Sequence, residues 1–299
     1  GFGYSEGDTR HTIWLLDAAS AYNQIAFLNR AGIHSVALWR LGSEDPGVWS
    51  LFGTDHRTLP AASAIDQVPA GTNVDIEGAG EILKIASKPV IGARRASAGA
   101  NGFITDVAFD RLPSPYVVQR TGYRKGEVAL TFDDGPDPAW TPQVLDILKR
   151  EHVPGTFFIV GENALTQRPL LERMIAEGDE VGSHTYTHPN LANVSQRQVM
   201  FELNTTQRLF QAFTGHSLRL FRAPYFGDAE PTTADEIDPA LEAQNRGYVS
   251  VGLHVDPGDW KRPGVQQIID RTIAGVTGGP ATCDADSDAN CSRNIVLLH

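Results

Sequence analysis

Two adjacent carboxylates, two histidines four residues apart, and a histidine that closes an apolar run are the side chains best placed for chemistry. Asp133-Asp134 precede Gly135-Pro136, His184 and His188 bracket Thr185-Tyr186-Thr187, and His299 follows IVLL. Adjacent carboxylates repel, so a cation is expected beside one of them. One could then bind a metal and the other act as base; a turn or cap carboxylate pair before Gly-Pro is the plain alternative. On a helical turn, imidazoles at i and i+4 face one side, which makes His184 and His188 candidate ligands of one ion. Two imidazoles and one carboxylate leave positions open for water and substrate. Zinc suits that set best, and the facial triad of non-haem Fe(II) oxygenases uses the same donors.

Further groups stand at comparable places. Arg222, ahead of Ala223-Pro224-Tyr225, can hold a carboxylate ionised and orient it; a surface ion pair is its plain alternative. Pro224 stiffens the loop, and the Tyr225 backbone N–H is a candidate oxyanion donor. His299 reads as a general acid with Asp256, or Asp259, against its ring. Trp260 reads as a sugar-stacking or wall residue, with core packing the alternative.

These residues follow apolar runs: VALTF (128–132), EVGSH (180–184), LRLF (218–221), YVSVGLHV (248–255) and IVLL (295–298), with TFFIVG (156–161) as a sixth. Helical patterns lie between them, near 141–151, 167–177, 195–213, 235–246 and 264–275. Strands alternating with helices imply parallel β/α architecture. The fold class expected is α/β, an open or distorted (β/α) TIM-like barrel, and such barrels carry their sites at the C-terminal strand ends. By texture the chain divides into 1–53, a βαβ pattern of HTIWLL, a helix and HSVALW; 54–124, a β-rich linker module; and 125–299, which holds the reactive groups.

Composition bounds the rest. The 299 residues are 41% hydrophobic and 20% charged, enough apolar side chain for a sizeable core, which excludes a disordered chain. The net charge of −11 argues against nucleic acid or an anionic lipid surface as main partner. No apolar run reaches the ~18 residues a membrane span needs. Cys283 and Cys291 share a polar loop and are a candidate local disulfide. Asp284, Asp286 and Asp288 mimic the start of a calcium loop, but Ala289 and Ile295 stand where it needs Gly and Glu.

Taken together, TFDDGP (131–136), HTYTHP (184–189), RAPY (222–225), DPGDW (256–260) and LLH (297–299) resemble, in order, the five motifs of the NodB-type polysaccharide deacetylases, the family 4 carbohydrate esterases. The resemblance covers about 125–299. It implies a distorted (β/α) barrel and a metal-dependent hydrolase that removes N-acetyl groups from an N-acetylglucosamine-containing polysaccharide: chitin, peptidoglycan or poly-N-acetylglucosamine. It implies Asp133 as base, and Asp134, His184 and His188 as ligands of a divalent metal, zinc first, with cobalt, nickel or manganese as alternatives. Arg222 would orient Asp133, Tyr225 would help hold the oxyanion, and Asp256 would tune His299, the acid. A non-catalytic carbohydrate-binding or scaffold module on the same fold is the alternative. HTIWLLDAAS and GIHSVALWRLGSEDP resemble the last strands and helix of a family 18 glycoside hydrolase barrel, without its DxxDxE motif. That likeness, and a chain running from Gly1 to His299, predict a piece of a larger multidomain protein. An extracytoplasmic location is expected from where such polymers occur.

Overall fold

The computed structural model describes residues 2–13, 16–39, 44–52, 59–71, 73–226, 233–277 and 294–299. The acidic loop with Cys283 and Cys291 lies outside the described residues. Two compact units emerge: 1–72 with 88–115, and 73–87 with 116–299. The textural boundaries at 53 and 124 thus do not coincide with those of the compact units.

In the first unit β1 (Phe2–Glu6) and β2 (Thr9–Ile13) form an antiparallel hairpin. Helix α1 (Ala18–Arg30) follows, its N-terminus capped by Asp17, which accepts the Ser20 N–H at 2.7 Å. Strands β3 (Gln67–Val68), β6 (Gly92–Ala98) and β7 (Ile104–Arg111) make a small antiparallel sheet. The expected βαβ pattern is not formed. Of HTIWLL, His11, Thr12 and Ile13 belong to the hairpin while Trp14 and Leu15 lie outside the described residues, and HSVALW is not a strand. Among the described residues no strand offers this segment a parallel ladder, and Trp39 within it is 91% exposed.

The second unit carries β4 (Val74–Gly78), β5 (Ile82–Ser87) and β8 (Tyr116–Thr121), followed by the β/α alternation. That alternation runs β9 (Ala129–Asp133), α2 (Thr141–Glu151), β10 (Thr156–Ile159), α3 (Gly161–Ala164), α4 (Arg168–Glu177) and β11 (Glu180–Ser183). It continues through α5 (Gln196–Thr214), β12 (Leu220–Phe221), α6 (Ala234–Asn245), β13 (Val249–Val251), α7 (Val265–Thr277) and β14 (Ile295–Leu298). The six strands and five main helices fall where the periodicity puts them.

Neighbours β14, β9, β10, β11, β12 and β13 all pair in parallel. Past β13, Val255 forms a parallel bridge to Val296 of β14, so the curled sheet meets itself. The Val255 carbonyl accepts from the Leu297 N–H at 2.9 Å. Beyond β13 the order continues to β5 and then β8 by antiparallel pairing, and to β4, which pairs with β8 in parallel. The result is a distorted barrel rather than a regular eight-fold one.

Alternation along each strand sorts the side chains. In β10, Phe157 and Ile159 join the layer under the helices, with Leu145, Leu171 and Leu203. Phe158, between them, clusters with Val251 and Ile295 instead. In β9, Phe132 stacks on Phe157 at 5.0 Å, which leaves Thr131 and Asp133 together on the opposite face.

Candidate active site

The reactive groups gather at the C-terminal strand ends. Asp133 ends β9, His184 follows β11, Arg222 follows β12 and His299 follows β14. Parallel pairing brings ends separated by up to 166 positions onto one rim.

Asp133 and Arg222 form a buried pair; neither side chain has measurable exposure. Arg222 Nη1 donates to Asp133 Oδ1 at 2.8 Å and to Thr131 Oγ1 at 2.7 Å. Its Nε and Nη2 donate to the carbonyls of Val251 and Gly252, and its guanidinium lies 4.2 Å over the Phe158 ring. The planar fork is thus used on every side, which a lysine could not reproduce. Asp133 Oδ2 is buried without a hydrogen-bond partner among the described residues, 3.7 Å from His184 Nε2. A buried orphan acceptor of this kind is where a water or ligand belongs.

Asp134 would point away from its neighbour on an extended backbone. Its φ of 70° turns it back instead. Its Oδ1 lies 3.1 Å from His188 Nε2 and 3.5 Å from His184 Nε2, and the two Nε2 atoms are 3.2 Å apart. Asn163, on α3, donates to the Asp134 carbonyl at 2.7 Å. Thr185, His188 and Tyr225 also have φ between 59° and 70°. Left-handed backbone is uncommon for residues with a side chain, and its concentration here marks a constrained site.

The His184 Nδ1–H donates to the Arg222 carbonyl at 2.8 Å, which leaves Nε2 with its lone pair toward Asp134. Burial pushes the His184 pKa below 6.5, so the ring is neutral, as a ligand must be. For Asp134, burial alone would raise the pKa, but the hydrogen bond from His188 and the nearby imidazoles hold it below 3.8. Asp134, His184 and His188 are the metal-capable cluster among the described residues. One carboxylate oxygen, two imidazole nitrogens, a fixed tautomer and an orphan acceptor alongside fit a divalent cation.

His299 meets Asp259, not Asp256. Its Nδ1 lies 3.0 Å from Asp259 Oδ1, and its backbone N–H donates to Oδ2 at 2.7 Å. Asp256 is spent on its own turn, accepting the Gly258 N–H at 2.7 Å, and Gly258 turns the chain with φ of 68°. The expected pairing of Asp256 with His299 is therefore corrected. Burial opposes a charged His299 ring, but the Asp259 hydrogen bond and the charges of Asp259, Asp134 and Asp133 raise its pKa above 6.5.

A cleft of about 530 Å³ opens on this rim. Asp133, Asp134 and His299 line it, together with Trp140, Asn163 and Gln167, which sequence reading passed over. Trp140 is 68% exposed; its sequence signal is an aromatic four residues past the DDGP turn. The Tyr225 ring lies 5.0 Å from that of His188. Trp260 does not line this cleft; it is exposed, with the Lys261 ammonium 4.6 Å over its ring.

Residues 121–240 match the family model described as polysaccharide deacetylase. A chitooligosaccharide deacetylase of Sinorhizobium fredii is 41% identical over 185 residues, 61% of this chain and 75% of that protein. A peptidoglycan-N-acetylglucosamine deacetylase of Bacillus cereus is 32% identical over 190 residues, 62% of this chain and 84% of its own length. A crystal structure of a peptidoglycan N-acetylglucosamine deacetylase is 32% identical, covering 60% of this chain and 73% of that one, with a TM-score of 0.49.

Proposed function

The chain belongs to the polysaccharide deacetylases, and from that premise we infer a metal-dependent hydrolase that removes N-acetyl groups from an N-acetylglucosamine-containing polysaccharide and releases acetate. The observation that carries this reading is the single rim on which a buried carboxylate, a three-donor cluster and a carboxylate-held histidine meet. We further propose zinc as the metal. Its bonds to nitrogen and oxygen run about 2.0–2.1 Å, and tetrahedral ligands at that radius stand about 3.3 Å apart. The three donor separations run from 3.1 to 3.5 Å. Cobalt, nickel and manganese are the metals to compare against it.

A divalent cation on Asp134, His184 and His188 supplies Lewis-acid polarisation of the acetamide carbonyl and an acidified water. Asp133 is the base: its free Oδ2 accepts the water proton while Arg222 holds Oδ1. Water oxygen bonds to the carbonyl carbon, giving a tetrahedral oxyanion, toward which we assign the Tyr225 backbone N–H. His299 gives its proton to the amide nitrogen as the C–N bond breaks, leaving acetate and a free amino sugar. Asp259 fixes the ring and supports its imidazolium.

The polymer is open among chitin or chito-oligosaccharides, peptidoglycan and poly-N-acetylglucosamine. No described helix is long and apolar enough to cross a membrane. We place the enzyme outside the cytoplasm, where peptidoglycan and secreted polymers lie. A binding or scaffold role is disfavoured because base, ligands and acid are all present.

The deciding experiment is acetate release from N-acetylglucosamine oligomers by apo and zinc-reconstituted protein, with Asp133→Asn as control. Metal-dependent acetate that disappears in the variant is expected. Stoichiometric metal binding with no acetate from any of the three polymers would turn the reading to a binding module.

A further inference from the structure

Glu202 is a carboxylate on the apolar face of a helix. It shares the buried side of α5 with Val199, Leu203, Thr206 and Phe210, and is 0% exposed. A carboxylate so placed has to be satisfied within the protein. Its partners come largely from the segment between the two imidazoles. Oε2 accepts the Tyr186 N–H at 2.8 Å and the Thr187 N–H at 2.7 Å. Oε1 accepts the Thr187 hydroxyl at 2.8 Å and the Gln198 amide at 2.7 Å. Four donors take up the acceptor positions of one carboxylate.

The segment needs such bracing. Thr185 and His188 both hold left-handed backbone, at φ of 70° and 59°. On one side the Thr185 and Tyr186 carbonyls accept the N–H groups of Gly161 and Glu162 at 3.0 and 2.9 Å. The His188 N–H donates to Thr185 Oγ1 at 3.1 Å. Among the described residues, Glu202 alone takes the N–H groups of residues 186 and 187. The other two donors of the cluster have independent supports: Asn163 on the Asp134 carbonyl, and the Arg222 carbonyl on the His184 ring. Loss of Glu202 would take the acceptor from the part-buried N–H groups of Tyr186 and Thr187 and free the segment that carries His188.

We propose that Glu202 is a positioning residue for the metal site: its carboxylate fixes residues 186–187 so that His188 meets His184 and Asp134 at ligand spacing. This rests on the metal-dependent reading of the site. The test reads Co²⁺ alone, apart from acetate release. Co²⁺ affinity and the visible d–d bands of the Co²⁺ protein are measured for wild type, Glu202→Leu, Glu202→Gln and Thr187→Val, each checked for folding.

Expected for Glu202→Leu is a loss of about 10–100-fold in Co²⁺ affinity with altered bands, the scale seen when supports of metal ligands are removed. Glu202→Gln is expected within a few-fold of wild type, because the Thr187 hydroxyl can turn to accept and the Gln198 amide can flip. Thr187→Val, which removes one of the four bonds, falls between them. A folded Glu202→Leu with affinity within twofold of wild type and unchanged bands overturns the inference. Should that variant not fold, Thr187→Val at wild-type affinity and bands overturns it instead. Wild type that binds Co²⁺ but releases no acetate sinks the deacetylase reading alone and leaves the affinity ratios to decide Glu202. Wild type that binds no Co²⁺ overturns both.

Discussion

Asp259 takes two hydrogen bonds from His299, one from the ring and one from the backbone N–H, at 3.0 and 2.7 Å. One carboxylate thereby sets both the direction of the ring and the position of the strand end that bears it. It also keeps the ring charged to higher pH than 6.5.

That relationship predicts a pH effect. A general acid works while protonated, so activity falls as pH rises through the His299 pKa, and a raised pKa keeps the enzyme active further into neutral pH. Asp259→Asn removes the charge that raises it. The alkaline limb of the kcat/KM profile should move to lower pH. Asp256→Asn should leave that limb in place. A profile that shifts with Asp256 and not with Asp259 would reverse the assignment.

Arg222 and Asp133 should respond unequally to substitution. Arg222→Met leaves a buried carboxylate without its cation, at a cost of about 3–5 kcal/mol. Asp133→Asn keeps an oxygen for the guanidinium and should fold and bind metal, with kcat lower by about 10²–10⁴. Denaturant melts and steady-state rates on the two variants separate the effects.

Metal removal should cost stability as well as activity. A cation at a thousand times its Kd stabilises the folded state by about 4 kcal/mol through mass action. Chelation should therefore lower the Tm of wild type. His188→Ala, lacking a ligand, should show little further fall on chelation. Thermal melts with and without chelator check this.

Trp140 should act in binding rather than in chemistry. It lines the cleft, exposed, and is not one of the residues assigned as base, acid or metal ligand. Trp140→Ala should raise KM for an oligosaccharide several-fold at nearly unchanged kcat, the mark of lost uniform binding. An equal fall in kcat would mean that the ring contributes to the transition state.

The barrel was legible because its elements state their period plainly. Pro142 opens α2, Gly178 and Gly215 close α4 and α5 in left-handed caps, and the apolar runs between them are short and turn-bounded. The strand ends then located Asp133, His184, Arg222 and His299. Spacing alone could not choose between Asp256 and Asp259, because a tight turn at Gly258 decides which carboxylate reaches the ring. Nor could it reject a strand at 34–39, whose β-type residues have no pairing partner among the described residues. Glu202 had a signal that went unread: a carboxylate at i+3 from Val199 and i−1 from Leu203, on a face otherwise apolar or small.

The bridge from Val255 to Val296 and the pairing of β14 with β9 have a consequence for the order in which the chain becomes safe. Strand β14 joins β9 across more than 160 residues of sequence. Until it docks, Ala129–Phe132 is a bare sheet edge with unpaired N–H and C=O groups, a template for a neighbouring chain. An edge that waits on the last strand of the sheet is open to association with a neighbouring chain until folding is complete.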